Sequence, residues 1–301
     1  MKKSGFFHSL PFKLLASVVI DILIGLGLNS TDGSAFTKSI LNIVVTLKYI
    51  LNQLISFCIP LIIIGFIAPS ITKMGNNASK LLLLAVAIAY TSSLGAALFS
   101  ADAGYALIPV FLEVIVIVLI GHFIWMALLY GIAGAYSGEN PFEVIKHYGP
   151  AYLTAVGTMS SAATLAVALQ CAGKAKPLRK DMISFGIPLF ANIHLCGSVL
   201  TEVFFCMTVS KILYGSIPSV GTMILFCLLL GVFAIGAPGV PGGTVMASLG
   251  LITGVLGFND AGTALMLTIF ALQDSFGTAC NVTGDGALTL ILSGYAKRHK
   301  L

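Results

Sequence analysis

The chain is predicted to be an all-α polytopic membrane protein, with about six membrane-spanning helices and two re-entrant helical hairpins. Three observations carry that prediction. Hydrophobic residues fill 57% of the 301 positions and charged residues only 9%, with a mean hydropathy of +1.01, against ~25% charged in a soluble globular chain. Apolar stretches long enough to cross ~30 Å of hydrocarbon recur along the chain. Two other apolar stretches are interrupted in the middle, leaving arms too short to cross alone.

The first apolar stretch, 10–28, follows Met1-Lys2-Lys3 and has the outline of a signal peptide. Its length, the Asp21 inside it and the spans that follow make it a first membrane helix. The second, 40–71, carries Lys48, Asn52 and Gln53 early and Pro60 in the middle, where a kink is expected. The third covers 81–99. The fourth covers 110–136, with Glu113 near its start and His122 inside. Between Gly149 and Lys174 the chain is apolar but broken by Thr158, Ser160 and Ser161, which fits a re-entrant hairpin with a serine-bearing tip. A single ordinary span with a polar patch is the alternative. Between Val220 and Phe258 the run Gly236-Ala-Pro-Gly-Val-Pro-Gly-Gly243 breaks a second apolar stretch, and no continuous helix survives it well. Broken segments at corresponding places in two halves, each followed by a long span, point to a transporter site.

The last apolar segment, 259–295, holds a polar run. Asp274, Thr278, Asn281 and Asp285 fall at i, i+4, i+7 and i+11 and share one helix face at about 100° per residue. A carboxylate at membrane depth costs roughly 2.5–3.5 kcal/mol unless it is compensated. No Lys or Arg occurs between Lys211 and Lys297, so a mobile cation or a cationic group on a ligand is the expected partner. Simple helix–helix glue is the plainer alternative. An intramembrane enzyme with paired carboxylates is disfavoured, because Asp274 and Asp285 lie roughly 16 Å apart along one helix.

The net charge of +5 does not indicate nucleic acid, since the basic residues sit at segment ends. With the N-terminus in the cytoplasm and each hairpin returning to its own side, only Lys38, Lys48 and Lys211 fall outside. That topology obeys the positive-inside rule and leaves both termini cytoplasmic. Cys58, Cys171, Cys196, Cys206, Cys227 and Cys280 lack metal-type spacing and read as small core residues.

Four motifs then stand in a specific order. They are Ser160-Ser161-Ala-Ala-Thr-Leu165, Ile187-Pro-Leu189 with Gly197 downstream, Gly239-Val-Pro-Gly242, and Asp274-x-x-x-Thr278-x-x-Asn281-Val-Thr-Gly-Asp285. Together they resemble the dicarboxylate/amino acid:cation symporter family, the glutamate transporter homologues. The resemblance implies an inverted-repeat transporter core over 76–301, built of helix 3, helix 4, hairpin 147–173, helix 183–213, hairpin 219–257 and helix 259–296. Residues 1–75 would supply scaffold-like helices 1 and 2. By position, Asp274 resembles the acceptor of the substrate's amino group. Thr278, Asn281, the tip residues Ser160 and Ser161, and the backbone from Val240 to Gly242 resemble the remaining substrate contacts. Asp285 resembles a sodium ligand, joined by Asn281 and by carbonyls around Phe190, Asn192 and His194. Hairpin tips suit a carboxylate because they offer free N–H groups, and hard oxygen ligands suit a hard cation.

The departures from the family pattern matter as much. Members that take acidic substrates carry Arg where this chain has Gly277, so the fork that clamps a side-chain carboxylate is absent and a neutral amino acid is favoured over glutamate or aspartate. The family's Asn-Met-Asp is His194-Leu-Cys196 here, which alters one sodium site. Glu202 stands where proton-coupled relatives carry a titratable Glu, making it a candidate proton carrier or a structural pair. Two scaffold helices of the family are missing where 106–109 runs into 111–120. The expectation is a sodium-coupled symporter of a small amino acid or dicarboxylate that works by an elevator motion. It would be multi-pass in the plasma membrane, in contact with membrane lipid and assembled as a homotrimer, with no cofactor, enzymatic activity or nucleic-acid partner. The alternative is a substrate-binding relative that cannot transport without a partner.

Overall fold

The computed structural model describes residues 78–107 and 111–301, together with isolated positions between 20 and 72. The first two expected helices, with Asp21, Lys48, Asn52, Gln53, Cys58 and Pro60, lie outside the described residues apart from those isolated positions. No strand occurs among the described residues. Over the continuously described residues ten helices follow one another: α1 (Ala78–Leu107), α2 (Phe111–Ser137), α3 (Phe142–Ile145), α4 (Gly149–Thr158), α5 (Ser161–Ala172), α6 (Lys180–Ile193), α7 (Cys196–Tyr214), α8 (Val220–Gly236), α9 (Gly243–Gly254) and α10 (Asp260–Arg298).

Helix boundaries follow local chemistry. Pro150 sits in the first turn of α4, where its missing N–H costs nothing. Left-handed Met159, with φ of 50°, ends α4, and Ser160 starts α5 by accepting from the Ala163 N–H at 3.2 Å. The α8–α9 connection uses Pro238 and Pro241, which donate no backbone hydrogen bond, and Gly242 at φ 71°, a conformation that favours glycine. Asn259 caps α10 by accepting from the Gly262 N–H at 2.9 Å.

Among the described residues, three stretches are long and apolar enough to cross a membrane: Ala78–Tyr105, Glu113–Ser137, and the α6–α7 run Lys180–Tyr214. The third of these is one apolar stretch in sequence but two helices in space, opened at His194 and Leu195. In α2, Val116, Ile120, Phe123, Ile124, Leu128 and Ile132 face outward, as lipid-facing residues do. The chain is a membrane protein.

At 39 residues, about 58 Å, α10 is the axis. Its C-terminal half packs with α4, α5 and α6 in a cluster holding Tyr148, Phe185, Phe190 and Leu288. Its N-terminal half belongs to a second cluster, with Phe204, Phe205, Phe226 and Phe270. Between lipid-immersed helices hydrophobicity supplies no pairing force, so close approach of small residues does. The α7–α10 crossing is one such place. A Cβ on Gly277 would lie 3.2 Å from Ser198 N and Cα, and one on Gly197 would collide with the Gly277 carbonyl. The polar stretch Asp274–Asp285 runs through this crossing and joins the two clusters.

Candidate functional site

Two short connections meet over the polar face of α10. The Ser160 hydroxyl donates to the Gly239 carbonyl at 2.8 Å, and the Ala162 N–H reaches the same oxygen at 3.3 Å. The α4–α5 tip therefore rests on the α8–α9 tip, with Ser160 and Ser161 both buried. From the other side of that second tip, the Gly242 N–H donates to Asp274 Oδ2 at 2.7 Å. Glycine suits this position, since φ of 71° aims the N–H with no Cβ in the way. Val240 lies in the same turn, its own N–H bonded to the Pro238 carbonyl at 2.8 Å. Asp274 is 4% exposed and Thr278, one turn on, 3%. A buried carboxylate bonded to a backbone N–H presents one face of negative charge, which an ammonium group would complement.

Loss of the Ser160 hydroxyl should loosen this closure. Ser160→Ala removes a cap worth about 1 kcal/mol and a tip bond of about the same size. Hydrogen exchange should then quicken at the amides of residues 162–164 and of Gly239, Val240, Gly242 and Gly243. Unchanged protection would mean that the tip bond carries no weight.

Asn281 is directed elsewhere than the tips. Its Oδ1 accepts from the N–H groups of Gly197 at 2.7 Å and Ser198 at 3.2 Å, while its Nδ2 donates to Ser198 Oγ at 2.9 Å. Helix α7 begins at Leu195 with no side-chain cap of its own. Asn281 supplies the missing cap from the neighbouring helix.

One turn further, His194 Nδ1 lies 2.9 Å from Asp285 Oδ1, and its Nε2 lies 2.9 Å from Ser92 Oγ on α1. With Asp285 ionised, the ring donates Nδ1–H to it and accepts a hydrogen bond from the Ser92 hydroxyl at Nε2. The second oxygen, Asp285 Oδ2, is buried without a partner among the described residues, as is the Thr283 hydroxyl. An orphaned buried carboxylate oxygen is costly unless a ligand, water or ion completes it. Among the described residues no three His, Cys, Asp or Glu side chains gather as a metal site. A cation at Asp285 would therefore need carbonyl and hydroxyl oxygens as its other ligands. Of the carbonyls expected there, that of Phe190 already accepts from the His194 N–H at 2.9 Å, and the Asn192 side chain turns back to the Pro188 carbonyl at 2.8 Å.

Glu202 is fully buried on α7 and bonded through Oε1 to the Ser248 hydroxyl of α9, with Oε2 unpartnered among the described residues. It sits apart from the His194–Asp285 pair, on the side of the second tip's returning helix.

Three participants were missed in the sequence. Ser92 had a signal, as part of the polar Thr91-Ser92-Ser93 run inside the apolar third span. Ser198, next to the His194-Leu-Cys196 departure, had a weaker one. Ser248 is one hydroxyl in an apolar arm and had none.

The chain matches the sodium:dicarboxylate symporter family over residues 99–295. Excitatory amino acid transporter 3 of Mus musculus is 29% identical over 160 residues, 53% of this chain and 30% of the relative. Excitatory amino acid transporter 2 of the same species is 29% identical over 174 residues, 58% of this chain and 30% of the relative. An excitatory amino acid transporter of Caenorhabditis elegans is 28% identical over 159 residues, 53% of this chain and 31% of the relative. The matched region thus spans about three-tenths of these relatives' length. The family consists of transporters, not enzymes, and needs no cofactor. On the match over 99–295, which takes in the whole polar face of α10 and both tips, the chain belongs to the sodium:dicarboxylate symporter family.

Proposed function

We propose that this chain is a sodium-coupled symporter of a small neutral amino acid in the plasma membrane. The observation that carries the proposal is the Gly242 N–H on Asp274 Oδ2 beneath two tips joined through Ser160 and Gly239. In this closed arrangement the hairpin's own N–H stands where a substrate ammonium group would bind. Substrate therefore competes with a contact that the empty protein makes with itself. Once the tip is displaced, the N–H groups at the start of α5 and in the Val240–Gly242 turn are available to the substrate carboxylate. Thr278 lies one turn from Asp274 to receive the remaining polar group. Asn281 supports the site by holding the start of α7.

Asp285 is the sodium end of the site. Its unpartnered Oδ2 is a hard oxygen at depth, and a bound cation would relieve its isolation. Coupling then requires only that sodium and substrate each bind more tightly when the other is present. Glu202, bonded to the returning arm α9, is the candidate proton carrier of the same cycle. Neutral substrates are favoured because Gly277 places α7 backbone, not a guanidinium, beside the site.

Arms α4, α5 and α9, of 10, 12 and 12 residues, are each under about 20 Å long. We read α4–α5 and α8–α9 as hairpins that enter and leave on the same side. Helices α1 and α2 follow one another across only 108–110, where the family's two further scaffold helices would lie. An elevator motion in a trimer with cytoplasmic termini completes the proposal.

The test is uptake of labelled serine, alanine, threonine, glutamate and aspartate into proteoliposomes, with and without an inward sodium gradient. Sodium-driven accumulation of a neutral amino acid is expected. Asp274→Asn should weaken substrate binding at least about 100-fold, the scale of a lost buried charge pair. Asp285→Asn should abolish the sodium dependence while leaving substrate-induced protection of the tips measurable at high substrate. Accumulation that ignores sodium, or that survives both substitutions, would refute the assignment. Sodium-dependent binding without accumulation would instead identify a partner-dependent binding protein.

A further inference from the structure

One end of the helix bundle is strongly basic, and its elements converge by direct contact. Lys297 at the end of α10 pairs with Glu139 after α2 at 2.9 Å. Arg298 stacks over the Tyr136 ring at 4.5 Å and donates to the Tyr136 carbonyl. Arg179, just before α6, donates to the backbone oxygen of Leu301 at 2.8 Å and holds Asp181 with two nitrogens. Together the α2–α3 link, the α5–α6 link and the end of α10 enclose a polar recess of about 640 Å³ lined by Glu139, Glu143, Lys176, Arg179 and Lys297, with Asn140 and Pro177.

The charges here do not balance. Each of the three carboxylates has its own cation: Glu139 with Lys297, Glu143 with Lys146 at 2.5 Å, and Asp181 with Arg179. Outside the membrane span, the neighbouring Lys146 ammonium also holds the Glu143 carboxyl below its usual range, so this pair stays ionised at neutral pH. Lys174, Lys176, Lys180 and Lys300 are all exposed, and none is held in an ion pair among the described residues. Phe142, on the short α3 beside the recess, is 64% exposed, an aromatic ring left uncovered by the described residues at the level where the chain leaves the apolar spans. The opposite end differs. There the Tyr214 hydroxyl donates to Asn259 Oδ1 and Tyr105 reaches Pro218, and the nearby charges are Lys211, Asp102, Glu113 and Asp260.

We propose that this basic end is a binding surface for the headgroups of anionic phospholipids. Lys174, Lys176, Lys180 and Lys300 meet the headgroup phosphates, Lys176 from the rim of the recess, and Phe142 inserts at the headgroup level. Charge complementarity selects the occupant: a zwitterionic headgroup adds no net negative charge to this excess of ammonium groups, whereas an anionic one does. The surface joins the end of the first hairpin's second arm to the end of α10, so bound lipid would hold both at one depth.

The experiment is native mass spectrometry of the full chain, released from micelles containing equal phosphatidylglycerol and phosphatidylcholine. The wild-type chain is expected to retain phosphatidylglycerol selectively. Each lysine neutralised should cost about five-fold in that selectivity, the equivalent of ~1 kcal/mol per charge near a membrane surface. Lys174→Gln, Lys176→Gln, Lys180→Gln and Lys300→Gln combined should bring it close to unity. Lys211→Gln at the other end should leave it unchanged. Millimolar inorganic phosphate should not displace the lipid. Equal retention of the two lipids by the wild-type chain would overturn the proposal, as would selectivity that survives the four substitutions or an equal loss from Lys211→Gln. Displacement by phosphate alone would reassign the surface to a soluble anion and overturn the lipid assignment.

Discussion

Gly277→Arg is expected to yield little folded protein and no gain in aspartate or glutamate uptake. By family pattern alone the substitution looks like a restoration, because it returns the guanidinium that members handling acidic substrates carry. The packing says otherwise. A mere Cβ at this position would sit 3.2 Å from the backbone of Ser198 and 3.3 Å from that of Gly197, and backbone at a helix start cannot swing aside as a side-chain tip can. Gly197 on the facing helix has no room either, so the two glycines form a single close crossing. Arginine would have to force α7 from α10, breaking the bonds from Gly197 and Ser198 to Asn281, and would leave a charge without a designed partner. Overpacking alone costs about 1–3 kcal/mol, and an unpaired buried charge costs several more. Against a typical stability of about 5–15 kcal/mol that is enough to lose most of the folded protein. Gly277→Ala should be milder, about 1–2 kcal/mol, because the crossing needs to widen by only a few tenths of an ångström. Size-exclusion profiles and melting temperatures of the purified variants measure this. A well-folded Gly277→Arg chain that accumulates aspartate would show that α7 and α10 separate easily, and that the glycine is a specificity choice alone.

The contrast at Gly277 shows what the sequence makes legible. Periodicity placed Asp274, Thr278, Asn281 and Asp285 on one face, because a helix spacing is a local property of the chain. Proline and glycine likewise marked the break between α8 and α9, since φ restrictions are local too. The direction in which each polar atom is used is not local. Asn281 reads identically whether it faces a ligand or caps α7, and only the position of α7 decides between them. The same holds for His194, whose two nitrogens reach α1 and α10, helices about one hundred residues before and ninety after it. Glu202 was legible as a buried carboxyl, but its Ser248 partner was not, because a lone serine in an apolar arm carries no period and no charge.

Asn281→Ala is therefore expected to destabilise the protein even where no sodium and no substrate are present. The change strips the cap that the described residues give the start of α7, leaving the Gly197 and Ser198 N–H groups and the Ser198 hydroxyl short of a buried partner. Each unsatisfied buried group costs about 1–3 kcal/mol, so a total of about 2–5 kcal/mol follows after relaxation. For a chain of this size that corresponds to a fall of about 5–15 °C in melting temperature. Asn281→Asp separates capping from ligand contact. Its carboxylate still accepts both N–H groups and suits the positive end of α7, while the donor to Ser198 is lost. It should therefore recover much of the melting temperature in sodium-free buffer. If Asn281→Ala melts like the wild-type chain without sodium and differs only once sodium is added, the residue serves the cation and not the helix. If the loss is already complete without sodium, the start of α7 is held by α10 before any ion arrives, and Asp285, one turn along, acts on a helix end that is already fixed.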